Sequence, residues 1–145
     1  MNLFMKEKLK WAFILDRDEF VRLSLNKILK KYGFHVEEIE DFFQLEKRKK
    51  DIEGGMILAD VDIDVLEKGF PFLKKWSRRF ILMTPLVSDE LIIRLKKMGI
   101  RHIIKKPVDP RLLRKVIREI SFPDGVKTPS FGEKGGEFPF HSERR

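Results

Sequence analysis

Two aspartates, a threonine and a lysine in this chain share one kind of position: each closes a short apolar run. Trp11-Ala-Phe-Ile-Leu15 ends at Asp16, with Asp18 two residues on, and Met56-Ile-Leu-Ala59 ends at Asp60, with Asp62 and Asp64 following. Phe80-Ile-Leu-Met83 ends at Thr84-Pro85, and His102-Ile-Ile104 ends at Lys105-Lys106-Pro107. If these runs are strands of one sheet, carboxylates, a hydroxyl and an ammonium converge on one of its edges. Hard carboxylate oxygens in such a place suit Mg²⁺. A lysine and a hydroxyl suit the oxygens of a phosphoryl group. Taken singly, each residue reads as a solvated cap; the chemistry lies in their common position.

The elements that must hold them there follow from the hydrophobic period. Short continuous apolar runs are the mark of strands buried on both faces, as in a parallel sheet. A weaker strand runs from Phe34 to Ile39. Between the strands the period becomes helical. Val21, Leu25, Ile28, Leu29 and Tyr32 fall on one face, and Gly33 stands where a helix stops. Asp41 caps a short helix through about Lys50, and Phe70 to Arg78 reads as helical. Ser88 caps a helix with Leu91, Leu95 and Met98 on one face and Gly99 after it. Asp109-Pro110 opens a last helix whose buried stripe is Leu113, Val116, Ile117 and Ile120. Five strands alternating with five helices imply an α/β fold, a parallel sheet covered on both faces by right-handed crossovers. In such sheets the ligand site lies beyond the carboxyl ends of the strands.

Composition narrows the chemistry. The chain has 145 residues, a size for one domain, and no cysteine, which excludes disulfides, thiolate metal sites and cysteine nucleophiles. Three histidines, His35, His102 and His141, argue against a histidine zinc site. No apolar run approaches a membrane span, and Met1 to Lys10 holds too short an apolar stretch for a signal peptide, so the expectation is a cytoplasmic, soluble protein. Residues 1–10 read as an N-terminal extension and 11–121 as the domain. Residues 122–145, broken by Pro123, Gly125, Pro129, Gly132, Gly135, Gly136 and Pro139, read as a flexible C-terminal tail. The formal charge of +8 favours acidic partners without choosing among protein, nucleic acid and membrane.

The stretches Ile-Leu-Asp16-Arg-Asp18-Glu, Ile-Leu-Ala-Asp60, Leu-Met-Thr84 and Ile-Ile-Lys-Lys106-Pro-Val-Asp-Pro, in this order, resemble the chemotaxis-type receiver domain of two-component response regulators. The resemblance covers residues 10–121. It implies a flavodoxin-like three-layer sandwich with a five-stranded parallel sheet of order 2-1-3-4-5. It also implies that Asp60 accepts a phosphoryl group from a histidine kinase or phosphotransfer protein, that Thr84 senses the acyl phosphate and that Lys106 contacts its oxygens. Asp16, Asp18 and Asp60 would hold Mg²⁺, and Pro107 would follow a cis peptide bond. The expected function is a stand-alone receiver in a phosphorelay rather than an enzyme, with a downstream protein docking on the face of the fourth helix, fifth strand and fifth helix. A homodimer is left open. The alternative is a phosphorylation-independent pseudo-receiver that only docks partners.

The chain departs from that pattern at several points. The second place of the acidic pair is Arg17, with Asp18 as the nearest substitute. An Arg charge about 4 Å from a metal opposes each metal charge by roughly 4 kcal/mol at an effective dielectric of about 20. Arg17 must therefore swing away, or it enters the pocket as a built-in cation beside Asp60. Pro85 replaces a small residue, Ile103 an aromatic one, and the loop after Asp60 is one residue longer before Gly69 and lacks Met-Pro. Rival readings fit less well. A Ca²⁺ loop from Asp60 would need Gly at Val65 and Glu at Pro71. A haloacid-dehalogenase-type motif at Asp62-Ile-Asp64 does not directly follow its strand. A flavin phosphate would be repelled by Asp16-Arg-Asp18. Arg94, Lys96, Lys97, Arg101, Lys105, Arg111, Arg114, Lys115 and Arg118 form a basic patch with few interleaved aromatics, which favours an acidic protein over nucleic acid.

Overall fold

Side chains alternate between the faces of a strand, so a strand that is apolar at every position must be covered twice. The first strand, β1 (Trp11–Leu15), does this: Ala12 and Ile14 enter one core, Phe13 and Leu15 the other. The structure, a computed structural model, describes residues 10–121. The expected N-terminal extension up to residue 9 and the tail 122–145 lie outside the described residues.

In chain order, β1 is followed by α1 (Glu19–Lys31), β2 (His35–Glu38), a 3₁₀ segment (Phe42–Arg48), α2 (Lys49–Glu53) and β3 (Met56–Ala59). Then come α3 (Ile63–Leu73), a second 3₁₀ segment (Lys74–Arg79), β4 (Phe80–Thr84), α4 (Asp89–Lys97), β5 (His102–Lys105) and α5 (Pro110–Ser121). The sheet is parallel throughout, in the order β2-β1-β3-β4-β5. One core joins Ile14, Leu58 and Met83 to Leu25 and Leu29 of α1 and to Leu113, Val116 and Ile117 of α5. The other joins Phe13, Ile57 and Leu82 to Ile52, Leu66, Leu73, Trp76 and Leu95 from α2, α3, the second 3₁₀ segment and α4. This is the expected flavodoxin-like three-layer sandwich.

Local signals set most element ends. Gly33 and Gly99 sit at φ 89° and 79°, left-handed values that favour glycine. Each closes a Schellman motif: Phe34 N–H donates to Leu29 C=O and Ile100 N–H to Leu95 C=O. Ser88 Oγ accepts from Leu91 N–H, and Asp109 Oδ1 from Arg111 N–H just before Pro110 opens α5. Two expectations need correction. The helix expected at Phe70–Arg78 begins earlier, at Ile63, and gives way to 3₁₀ geometry after Leu73. Gly69 and Pro71 both lie inside α3, whose Leu66 and Leu73 are buried in the core. The helix expected from Asp41 to about Lys50 is a 3₁₀ segment opened by an Asp41–Gln44 capping box, with the α-helical turns only from Lys49.

Arg48 ties three elements together. Its guanidinium lies 4.5 Å from the Trp11 ring centroid and 5.1 Å from that of Phe13, and it pairs with Asp51 at 2.8 Å and with Glu37. These hydrogen bonds, Asp51 first, hold its charge above the usual arginine range.

Two predictions follow from packing. A Cβ on Gly55 would stand 2.0 Å from the Trp11 carbonyl oxygen, a backbone atom that cannot yield cheaply. Gly55→Ala is expected to destabilise by about 3 kcal/mol, the upper range for overpacking, in denaturant unfolding; an unchanged midpoint would refute the close approach. At the far end of β5, the His102 side chain is 11% exposed and its Nδ1 has no hydrogen-bond partner, with Glu119 Oε1 3.7 Å away. Burial, aided by the Arg101 charge, lowers the His102 pKa from 6.5 to about 4. The fold thus disfavours the protonated ring, and this contribution to stability is present above pH about 6.5 and is lost as pH falls toward 4. Burial raises the Glu119 pKa, which acts in the opposite sense. His102→Phe is therefore expected to gain on the parent as pH falls through that window; a constant difference in unfolding free energy would contradict a neutral His102.

Candidate functional site

Sheet register decides what can meet. Leu15 is level with Ala59, and Asp60 N–H donates to Leu15 C=O, so Asp16 and Asp60 leave adjacent strands side by side. Thr84 is level with Lys105, and Lys106 N–H donates to Thr84 C=O. Lys106 then reaches back toward β1 and β3. Its Nζ donates to Asp16 Oδ2 at 2.9 Å and to Asp60 Oδ2 at 2.5 Å. The three side chains are 15%, 2% and 28% exposed for Lys106, Asp16 and Asp60. These values make Asp16 the shielded anchor and Asp60 the carboxylate open to a reactant. Burial pulls the Lys106 ammonium down, but its hydrogen bonds to Asp60 and Asp16 outweigh that, and its pKa lies above the ordinary value. The Lys106–Pro107 peptide bond is cis, as the resemblance implies.

The remaining site residues stand differently. Asp18 Oδ1 accepts from Phe20 N–H at 2.9 Å and Val21 N–H at 3.4 Å, so this carboxylate is the N-cap of α1. Its own N–H donates to Asp16 Oδ1 at 2.8 Å. Thr84 shares a cleft of about 430 Å³ with Asp60, yet its hydroxyl is closed on its own loop, donating to Leu86 C=O at 3.1 Å and accepting from Leu86 N–H at 3.3 Å. Arg17 is exposed and pairs with no carboxylate among the described residues. Ile103 is buried among the side chains of the α2, α3 and α4 core.

Sequence reasoning missed two arginines. Arg22 Nη1 donates to Asp16 C=O at 2.8 Å while its Nε pairs with Glu38 at 3.1 Å, which fixes the turn that carries Asp16 to Asp18. Arg94, read as part of the basic patch, is instead taken up by α3: it meets Glu67 at 2.5 Å and Asp64 at 3.0 Å, with Glu90 at 3.6 Å. Arg94 holds the Glu67 carboxyl below its usual range. Of that patch, Arg111, Arg114 and Arg118 remain exposed along α5. No helix among the described residues is long and apolar enough to cross a membrane.

The expected Mg²⁺ ligands can be tested on this donor set. Mg²⁺ asks for octahedral oxygen coordination at about 2.1 Å. Both Asp16 oxygens are engaged, by Asp18 N–H and Lys106 Nζ, and Asp18 is turned to its helix. Asp60 Oδ1 and Asp18 Oδ2 accept no hydrogen bond, and a cation stands at position 17. Among the described residues no three His, Cys, Asp or Glu side chains gather into a group able to hold a metal. The trio Asp16, Asp18 and Asp60 is therefore no ready-made cage, and a cation there would compete with Lys106 for Asp16 and face the charge of Arg17, so these residues fit it poorly.

A family model for the response regulator receiver domain matches residues 12–118. No curated protein matches the chain. Among solved structures, the chain is similar to the response regulator StyR, with 20% identity and a TM-score of 0.62 over 77% of this chain and 59% of that one. It is similar to full-length FixJ from B. japonicum, with 22% identity and a TM-score of 0.60 over 76% of this chain and 56% of that one. The chemotaxis response regulator CheY4 of Vibrio cholerae matches with 21% identity and a TM-score of 0.60, over 78% of this chain and 99% of that one. The chain thus spans under two thirds of StyR and of FixJ.

Removing the shared ammonium tests the cluster. Lys106→Met keeps the length of the side chain but leaves the shielded Asp16 carboxylate without its cation. The expected cost is about 2–3 kcal/mol in denaturant unfolding, below the full value for a buried pair because Asp60 stays partly solvated. Asp16→Asn in the same chain is expected to recover part of that loss. Parent-like stability of Lys106→Met would show that the bridge carries no weight.

Proposed function

The chain belongs to the response regulator receiver family, and from that premise we propose that Asp60 accepts a phosphoryl group from the phosphohistidine of a histidine kinase or phosphotransfer protein. The observation that carries the reading is the Lys106 ammonium shared by Asp16 and Asp60 at the carboxyl ends of β1 and β3. Asp60 Oδ1 is the free nucleophile. Its lone pair forms the new P–O bond as the P–N bond of the donor breaks. The imidazole keeps that electron pair and leaves neutral when its other nitrogen already carries a proton. Lys106 offsets the charge that accumulates on the phosphoryl oxygens.

A donor carried by another protein needs a surface around the acceptor. The most exposed large apolar side chains are Phe20, Phe43 and Leu86, with Leu23, Ile93 and Val65 behind them. Phe20, Phe43, Val65 and Leu86 lie within a few residues of the ends of β1, β2, β3 and β4, so they rim the same edge of the sheet as Asp60. Exposed apolar rims of this kind suit protein contact. After transfer, the reading has Thr84 exchange its Leu86 partners for the acyl phosphate, shifting a two-state equilibrium that is read on the face of α4, β5 and α5. The exposed Arg111, Arg114 and Arg118 favour an acidic protein there. A phosphorylation-independent docking module is the second reading, and the closed Thr84 hydroxyl and the aliphatic Ile103 favour it.

Incubation with phosphoramidate, with and without Mg²⁺, followed by intact mass is expected to show one added phosphoryl group in the parent and none in Asp60→Asn. No addition under either condition would leave the docking reading.

A further inference from the structure

We propose that Arg17 takes the place of a divalent cation in this pocket, so that its guanidinium and the Lys106 ammonium together hold the phosphoryl oxygens on Asp60 and no metal is bound. The inference rests on Asp60 being the phosphoacceptor.

Three observations carry it. The first is the donor set. Asp16 has both oxygens engaged, and Asp18 is turned away to cap α1. A hard cation would compete with Lys106 Nζ for Asp16 Oδ2 and would meet the charge of Arg17 next to Asp16. The second is charge. Two carboxylates, Asp16 and Asp60, face one ammonium, and Arg17, next to Asp16 in sequence, carries a second positive charge. The third is placement. The backbone on either side of Arg17 is fixed, because Arg22 holds the Asp16 carbonyl and Asp18 donates to Asp16 while capping α1. Arg17 is thereby rooted at the rim, exposed, and free of any carboxylate partner among the described residues. A planar guanidinium presents paired N–H donors that match two oxygens of a phosphoryl group, which a point-charge ammonium does not.

Charge and atoms balance without a metal. With phosphoramidate as donor, an Asp60 carboxylate oxygen forms a P–O bond as the P–N bond breaks. The nitrogen already carries its proton, so ammonia leaves neutral. The monoanionic carboxylate and monoanionic donor become one acyl phosphate dianion. The negative charge added at Asp60 falls between Lys106 and Arg17.

The test uses the full chain as parent, Arg17→Ala and Arg17→Asp; position 17 is exposed, so neither change disturbs the core. Labelling by phosphoramidate is followed by intact mass in excess chelator and in Mg²⁺. Mn²⁺ binding is measured separately, from the loss of the free-ion electron paramagnetic resonance signal. The parent is expected to label at the same rate with and without metal and to bind no Mn²⁺ at millimolar concentration. Arg17→Ala is expected to lose at least tenfold in the chelator rate. Arg17→Asp is expected to bind Mn²⁺ and to label only with metal. Labelling of the parent that requires Mg²⁺, Mn²⁺ binding by the parent as tight as by Arg17→Asp, or an unchanged rate in Arg17→Ala would each overturn the inference while leaving Asp60 the acceptor. Absence of labelling in all three proteins, metal present or not, would remove the phosphoacceptor reading and this inference with it.

Discussion

One ammonium group sets the geometry of this site. Lys106 comes from the end of β5, yet its Nζ lies between Asp16 at the end of β1 and Asp60 at the end of β3. β4 stands between β5 and β3, so only a long side chain can make that reach. Two carboxylates shielded side by side would repel each other; a cation between them makes their approach favourable. The order β2-β1-β3-β4-β5 supplies the rest. It places β1 and β3 next to each other, where the direction of chain progression reverses, and that is the edge at which open parallel sheets bind ligands. The level pairing of Leu15 with Ala59 then aligns the two carboxylates to the residue.

Much of this was legible in the sequence because the signals are local. Apolar runs ending in Asp16, Asp60 and Thr84, the glycines at 33 and 99, the Ser88 cap and Asp109-Pro110 each follow from a few neighbouring residues. All of them stand in the structure where they were expected. What escaped was decided at a distance. α3 starts at Ile63 rather than at Phe70, and its Leu66 and Leu73 are buried against residues distant in the chain. Asp18 looks like a metal ligand by its proximity to Asp16, yet two backbone N–H groups of α1 claim its oxygen. The Arg22 contact with the Asp16 carbonyl, the Arg48 stack on Trp11 and the Arg94 bridge to α3 each depend on tertiary placement that no spacing reveals.

The same contrast explains why the basic surface read from composition is smaller in the folded chain. Arg94 belongs to a carboxylate cluster that joins α4 to α3, and Arg48 to one that joins β2, β1 and α2. Both are internal fasteners. The exposed charge of that surface is carried by Lys96, Lys97, Arg101 and Lys105 and by α5, where Arg111, Arg114 and Arg118 recur at helical spacing on the exposed side while Leu113, Val116 and Ile117 face the core. A helix so divided presents positive charge on its outer side without exposing its apolar one.

The conformational cost of a signal at Asp60 is spread unevenly over its neighbours. Thr84 is held by two hydrogen bonds to Leu86 in an exposed loop, worth about 1 kcal/mol each. Arg94, by contrast, fastens α4 to α3 through two carboxylates, one turn beyond the loop. Rearrangement therefore starts most easily between Thr84 and Ser88, with α4 following only if its clamp slides or opens. Driving a two-state element from nearly all resting to nearly all active requires about 5.5 kcal/mol of differential interaction. The loop bonds are too weak to supply or to resist that amount. On the proposed reading the difference must come from the charge pocket itself, where adding one negative charge next to Lys106 redistributes the strongest interactions at this edge of the sheet.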